Sequence, residues 1–109
     1  MSEFQHASLA NGRWGTFTLA EQLGNIGSEV SRALKAKGDK ERFDGAVQRA
    51  LELFDLTLSD PRWRKRLKEI CRARELFCDA VYGGVAYGTK LEDLNRYFYY
   101  FAYAARAHR

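Results

Sequence analysis

The sequence predicts an all-α fold: an up-down-up-down antiparallel four-helix bundle with a short N-terminal arm. Apolar residues recur three and four positions apart along four separate stretches, which is the period of a helix packed on one side. Pro61 is the single proline among 109 residues, so little else interrupts a helix. Two of the three predicted connections are very short, which favours antiparallel neighbours. This length accommodates one domain with one core.

The N-terminal arm is expected to cover residues 1–17, and the bundle domain residues 18–109. The arm contains glycines and mixed polar residues without a clean period, so it is predicted to be flexible. Trp14 and Phe17 are expected to dock at its end, because large aromatic side chains bury much surface.

The first helix begins at a capping box formed by Thr18 and Glu21, and Gly38 is placed to stop it. Its buried stripe is Leu19, Leu23, Ile26, Val30 and Ala33. A second face lacks bulk and comprises Ala20, Gly24, Gly27, Ser28 and Ser31. Glycine inside a helix costs about 1 kcal/mol relative to alanine. A closely approaching backbone, from the same bundle or the next protomer, would offset that cost; a ligand on the bare backbone is the alternative.

The second and third helices are joined at Asp60-Pro61. Asp39 caps the second helix, and its inward stripe is Phe43, Val47, Ala50, Phe54 and Thr57. Asp60 is predicted to cap the third, with Pro61 at the first helical position. That helix is expected to run on to Gly83-Gly84, with an inward stripe of Trp63, Leu67, Ile70, Phe77 and Val81.

The fourth helix is predicted to begin at a second capping box, Thr89 and Glu92. Its inward residues are Leu91, Leu94, Phe98, Phe101 and Ala105. Aromatic residues also occupy its other sides, so some must face water or another chain. We predict an oligomer interface made of Tyr97, Tyr99, Tyr100 and Tyr103. The alternative is base stacking on the face shared by Arg96, Tyr99, Tyr103 and Arg106, and both can coexist.

Residues 61–74 hold seven of the eighteen Lys and Arg residues of the chain, against the single carboxylate of Glu69. A basic excess confined to one helix indicates a polyanionic partner such as RNA or DNA. The predicted phosphate-binding residues are Arg62, Arg64, Lys65, Arg66, Lys68 and Arg72, assisted by Arg96 and Arg106. The alternative is a solvated outer face on which Glu69 and Glu75 pair with some of the cations.

Arg74 differs from the other cations of this segment because it falls at an inward position. It is expected either to pair with a carboxylate of another helix or to reach outward to solvent from a boundary position. The candidate carboxylates are Glu29, Asp44 and Asp55.

Catalytic and metal-binding patterns are weak. The two histidines, His6 and His108, lie in the terminal tails. Cys71 and Cys78 are seven residues apart on one predicted helix, a rise of about 10.5 Å, too far for a disulfide. They are expected to be reduced, buried thiols. Without a signal peptide or a long apolar span, we expect a cytoplasmic, non-enzymatic protein with no cofactor, metal or membrane partner.

Over residues 18–106, the helix count, length, short links and basic surface resemble small bacterial proteins encoded by intervening sequences in 23S ribosomal RNA genes. They are also similar to the accessory variability proteins of diversity-generating retroelements. Asn25-Ile26-Gly27-Ser28-Glu29 is similar to an Asn-Ile-Ala-Glu segment of the intervening-sequence proteins, although it falls on a different helix here. The resemblance implies a homo-oligomer, specifically a pentameric ring, that binds nucleic acid and a reverse transcriptase. The alternative is an adaptor that docks an acidic protein partner without nucleic acid.

Overall fold

A computed structural model describes residues 12–36, 38–83 and 88–107, the last three of them by their backbone only. Within these ranges the regular structure is entirely helical, which confirms the predicted all-α class. The helices are α1 (Leu19–Lys35), α2 (Lys40–Leu58), α3 (Leu67–Val81) and α4 (Leu91–Ala107), with 3-10 segments at Arg13–Thr16 and Pro61–Arg66. α1 packs most extensively against α4 and α2, and α3 contacts both α2 and α4.

The predicted caps of α1 and α2 are confirmed. Thr18 and Glu21 form a complete capping box, with the Glu21 N–H donating to Thr18 Oγ1 at 3.1 Å and the Thr18 N–H to Glu21 Oε1 at 2.8 Å. Asp39 Oδ1 accepts the Arg42 N–H at 3.2 Å. Such caps each stabilise a helix by about 1 kcal/mol. α1 ends before Gly38, whose φ of +94° is a backbone conformation that glycine adopts without strain.

The start of α4 differs from the predicted capping box at the backbone N–H of Thr89. The Thr89 N–H, which a capping box would direct to Glu92, instead donates to Asp79 Oδ2 at 3.1 Å. The helix begins at Leu91, one residue later than a Thr89 cap would place it. Because Asp79 belongs to α3, this end is fixed by a contact between helices, which local spacing does not reveal.

The predicted continuous third helix is also wrong, although its start at Asp60-Pro61 is confirmed. Asp60 Oδ1 accepts the Arg62 N–H at 3.0 Å, as an N-cap should. The chain then forms a 3-10 segment with a kink at Trp63 (φ −101°, ψ 22°), and α3 begins only at Leu67. The indole N–H of Trp63 donates to Gln22 Oε1 of α1 at 2.9 Å, which holds the kink against a neighbouring helix.

The core is built from the predicted stripes and contains a cluster of three phenylalanines. Phe54, Phe77 and Phe98 come from α2, α3 and α4, and all are fully buried. The Phe54 ring centroid lies 5.8 Å from that of Phe77 and 5.9 Å from that of Phe98. Ile26 of α1 is also fully buried and belongs to the same core cluster.

The expected docking of Trp14 is confirmed, while residues 1–11 of the predicted arm lie outside the described residues. Trp14 is 3% exposed, and its indole N–H donates to Thr57 Oγ1 at 3.2 Å. Its carbonyl accepts from Gln22 Nε2 at 2.9 Å. Phe17 packs edge-on against it, with ring centroids 5.6 Å apart. This aromatic pair therefore belongs to the folded domain.

The glycine-rich face of α1 lies against α4 of the same chain. A Cβ added at Gly24 would lie 3.1 Å from Ala102 Cα, and one at Gly27 would lie 2.6 Å from Phe98 Cβ. The close approach of another helix is thus confirmed, and the neighbour belongs to the same bundle. Among the described residues, none of the helices is both long and apolar enough to span a membrane.

Candidate nucleic-acid interface

The basic segment, residues 61–74, begins with an arginine that is held inside the protein's own structure. Arg62 binds Asp60 in a bidentate manner, through Nε to Oδ1 at 3.0 Å and Nη2 to Oδ2 at 2.7 Å. Its Nη2 also donates to the Phe17 carbonyl at 2.7 Å, and the guanidinium stacks 4.4 Å from the Trp63 ring centroid. A guanidinium with this many partners joins the N-terminal turn to the basic segment and has few donors left for phosphate.

The hydrogen bonds between Asp60 and Arg62 shift the pKa values of both side chains. The pKa of Asp60 falls from 3.8 to about 2, mainly because the Arg62 side chain donates to the carboxylate. Burial opposes this fall, while the Arg62 N–H and the Gln22 side-chain amide add to it. The same hydrogen bond raises the pKa of Arg62. Asp60 is therefore ionised over the whole physiological range.

Several other predicted phosphate ligands form ion pairs with nearby carboxylates. Arg66 lies 2.7 Å from Glu69, whereas Arg72 lies 4.0 Å from Glu75. All four side chains are about half exposed or more, and exposed pairs of this kind contribute roughly 0–1 kcal/mol. A phosphate could therefore compete for these arginines at little cost.

Arg74 is found at a boundary position and pairs with one of its three candidate carboxylates. Its Nε lies 3.2 Å from Asp55 Oδ1 of α2, and its Nη1 lies 3.9 Å from Cys78 Sγ. The side chain retains about a third of its exposure. Arg74 thus links α3 to α2, and its guanidinium is less available to a phosphate than the exposed cations of the segment are.

Three cations of the basic segment are exposed and form no hydrogen bond or ion pair with any described residue: Arg64, Lys65 and Lys68. We call them the free cations. Arg64 and Lys65 lie in the 3-10 segment and Lys68 in α3. Because the 3-10 segment has about three residues per turn, the four-residue spacing expected for a single helix does not place Arg64 above Lys68. The three charges lie on both sides of the junction at Leu67.

Exposed tyrosines follow the outer side of α4. Tyr99, Tyr100 and Tyr103 are 59%, 65% and 60% exposed, and we call them the tyrosine stripe. Arg96 lies on the same side, 3.6 Å from Asp93. The side chain of Arg106, also predicted to contribute, lies outside the described residues.

Tyr97 differs from the tyrosine stripe. Its ring packs edge-on against Phe98 and Phe101, with centroids 5.2 and 5.3 Å apart. Burial raises the pKa of Tyr97, and the Glu69 carboxylate of α3 adds to the rise. Of the four tyrosines assigned to an interface, Tyr97 therefore contributes the least exposed surface.

Sequence reasoning missed the buried polar residues that support this region. Gln22 is fully buried, and its amide links the Trp14 carbonyl, the Asp60 carboxylate and the Trp63 indole. The sequence does show a glutamine next to Leu23 in an otherwise apolar stripe, which could have indicated a buried polar residue. The partners of Gln22 are not evident from the sequence, because they lie about 40 positions away in the chain or in the arm. Tyr82, which ends α3 and is 71% exposed, was also not singled out.

The two cysteines differ in exposure. Cys71 and Cys78 are free thiols, and Cys71 is exposed, so the expectation that both are buried is wrong. Cys71 follows the buried Ile70 and falls on the outer side of α3. Within the described ranges, no three His, Cys, Asp or Glu side chains are grouped closely enough to hold a metal ion.

Comparison with protein-family models, with curated proteins and with solved structures found no match.

Proposed function

We propose that this chain is a non-enzymatic, homo-oligomeric cytoplasmic protein that binds RNA or DNA through the basic segment. The observation that supports this most strongly is the group of free cations, Arg64, Lys65 and Lys68, which are exposed and lack carboxylate partners among the described residues. The resemblance described above suggests its partner, a reverse transcriptase or other nucleic-acid enzyme, and an assembly such as a pentamer.

The proposal includes the up-down-up-down antiparallel order of the helices. Along the α1–α4 contact, Gly24 lies against Ala102 and Gly27 lies against Phe98. Residue numbers in α4 therefore decrease along the contact as those in α1 increase. Opposite numbering of this kind is what antiparallel neighbours produce. The four-residue connection 36–39 between α1 and α2 supports the same order, because links this short join antiparallel helices.

Binding through the free cations would be dominated by phosphate contacts. Each phosphate neutralised on duplex DNA lowers the log of affinity by about 0.9 per tenfold rise in salt, through counterion release. Three free cations therefore predict a slope on the order of −3, and more if Arg66 and Arg72 exchange their carboxylates for phosphates. Contacts of this kind do not read base sequence, so the proposed mode is shape- and charge-dependent.

The experiment compares charge reversals at two places on the protein. Affinity for structured RNA and for duplex DNA is measured by fluorescence anisotropy at several salt concentrations, with the wild type and the double variants R64E/K68E and K40E/K90E. Lys40 and Lys90 are exposed and lie outside the basic segment, so the second variant makes the same change in net charge elsewhere. R64E/K68E should lose affinity by at least one to two orders of magnitude and show a shallower salt slope, whereas K40E/K90E should change little.

Unchanged binding in R64E/K68E would overturn the proposal. A tight protein complex that survives nuclease treatment, isolated with no RNA or DNA, would instead support the adaptor with an acidic protein partner. The exposed tyrosine stripe fits that alternative as well, because tyrosine is enriched in protein interfaces.

A further inference from the structure

A cleft of about 650 Å³ lies where α1 meets the start of α2. Its charged lining comprises Arg32, Lys35, Asp39, Glu41, Arg42 and Arg49. Four cations therefore face two carboxylates, and the cations come from both helices. Arg32 and Lys35 also suit the C-terminal turn of α1, where positive charge offsets the helix dipole. That role does not account for Arg42 and Arg49 of α2.

A buried carboxylate fixes two of these arginines. Glu29 has a side chain only 4% exposed; its Oε2 accepts from Arg32 Nη1 at 2.8 Å, and its Oε1 accepts from Arg49 Nε at 3.1 Å. Each guanidinium carries five N–H donors, so most of them remain unused after this contact. Holding two guanidinium groups on one buried anchor reduces the entropy that a ligand would otherwise have to remove.

The floor of the cleft is open because Gly45 has no side chain. A Cβ added at Gly45 would lie 3.3 Å from Arg49 Nη1. The Arg49 guanidinium therefore lies close to the α2 backbone at Gly45. Gly45 itself lines the cleft. The glycine thus leaves room for the Arg49 guanidinium beside the space that a ligand would fill.

The carboxylates of the lining do not neutralise the cleft. Asp39 Oδ1 accepts the Arg42 N–H at the start of α2, and Oδ2 lies 3.9 Å from the Arg42 side chain. Lys35 has no hydrogen bond or ion pair to any described residue, and the same holds for the Glu41 carboxylate. Both carboxylates would oppose an anion, but Glu41 alone of the two lacks a cationic partner among the described residues.

We propose that this cleft binds a small organic phosphate carrying two or more negative charges, such as a diphosphate ester. Arginine forks match the oxygens of phosphate in bidentate geometry, and the free ammonium of Lys35 adds a point charge. The volume lies within the roughly 300–1,000 Å³ typical of small-molecule sites, which exceeds the need of a single phosphate ion. The site lies at the start of α2, whereas the basic segment follows its end, about 28 Å away along the helix axis.

The test is a titration of the full-length chain, labelled with ¹⁵N, with pyrophosphate and separately with orthophosphate. We expect saturable amide shifts confined to the end of α1 and the start of α2, with tighter binding of pyrophosphate. Shifts that do not saturate, or that spread over all cationic surfaces, would overturn the proposal.

Three exposed residues supply the variants, so that loss of folding does not confuse the result. K35E should weaken pyrophosphate binding about tenfold, and E41Q should strengthen it severalfold by removing the opposing charge. K90E alters net charge as K35E does, but Lys90 is exposed and lies outside both the cleft and the basic segment, so it should leave pyrophosphate binding unchanged. Equal weakening by K35E and K90E would mean that only general charge attraction is present. Pyrophosphate binding is independent of nucleic-acid binding, so either proposal can fail alone.

Discussion

Asp60 shows how a single buried carboxylate can organise the start of the basic segment. It accepts the Arg62 N–H, the Arg62 guanidinium and the Gln22 side-chain amide. The Asp-Pro pair reveals the cap in the sequence, because aspartate and proline have defined places at a helix start. Spacing does not reveal the contacts with Arg62 and Gln22, because Gln22 is 38 positions away and Arg62 is one of a run of cations for which phosphate binding is predicted.

At the residue scale, Asp60 predicts an acid-dependent loss of stability. Its folded pKa, about 2, lies below its ordinary value of 3.8. A depressed folded pKa means that the contribution is complete above the ordinary value and is lost as the pH falls through the folded pKa. Asp60→Asn should destabilise the protein by about 1–3 kcal/mol near neutral pH, because the charged hydrogen bonds to Arg62 are lost.

The measurement is urea denaturation of both proteins from neutral pH down to about 2. The difference in free energy of unfolding between wild type and D60N should shrink as the pH falls from about 4 towards 2. Taking the difference removes the shared effect of the other carboxylates. A difference that stays constant with pH would contradict the assignment of the shifted carboxylate to Asp60.

At the element scale, the helices that the sequence predicted best are those whose ends are set locally. Thr18 with Glu21 forms a capping box within four residues of chain. α4 was predicted by the same motif and begins differently, because Asp79 of α3 takes the Thr89 N–H. The 3-10 segment was missed for a similar reason, since the Trp63 indole is held by Gln22 of α1. Local chemistry is readable from spacing, whereas a contact between elements is not.

The contact between α1 and α4 makes an element-scale prediction from two glycines. Gly27→Ala should destabilise the protein by about 1–2 kcal/mol, because crowding against Phe98 outweighs the roughly 1 kcal/mol gained from helix propensity. Gly45→Ala makes the same chemical change in α2, where the nearest neighbour is Arg49 Nη1 at 3.3 Å, a terminal atom that can shift by a few tenths of an ångström while Nε stays on Glu29. Gly45→Ala should stabilise the protein by about 0.5–1 kcal/mol.

Thermal or urea denaturation of the two alanine variants beside the wild type tests this directly. The opposite signs are the diagnostic result, because propensity alone would stabilise both proteins. If Gly27→Ala were as stabilising as Gly45→Ala, α4 would not approach α1 as closely as the Phe98 contact indicates.

At the scale of the whole molecule, positive charge is concentrated at two places with different degrees of order. The free cations of the basic segment are exposed and unpartnered among the described residues, which suits a flexible polyanion. In the cleft, Glu29 fixes Arg32 and Arg49, which suits a compact ligand. The sequence reasoning found the first because its charges are contiguous in the chain. It missed the second because two helices must fold together to form it.

The tyrosine stripe predicts how the molecule assembles. Tyr99, Tyr100 and Tyr103 lie on the outer side of α4, and their exposed rings leave apolar surface that a second copy of the chain can bury. We expect the wild type to have a mass that is a multiple of 12.5 kDa, measured by light scattering coupled to size exclusion. The double variant Y99S/Y103S should shift to the monomer mass, because it removes two large side chains without touching the core.

Tyr82 provides the matched control for that prediction. It is 71% exposed, at the end of α3, and lies outside the stripe, so Tyr82→Ser removes a ring of the same kind and should leave the assembly intact. A wild type that remains at 12.5 kDa at high micromolar concentration would show that the stripe faces water or another partner. If the wild type assembles and both variants dissociate, exposed tyrosine in general would be responsible. Dissociation of Y99S/Y103S alone would assign the interface to α4, because only that variant alters its outer side.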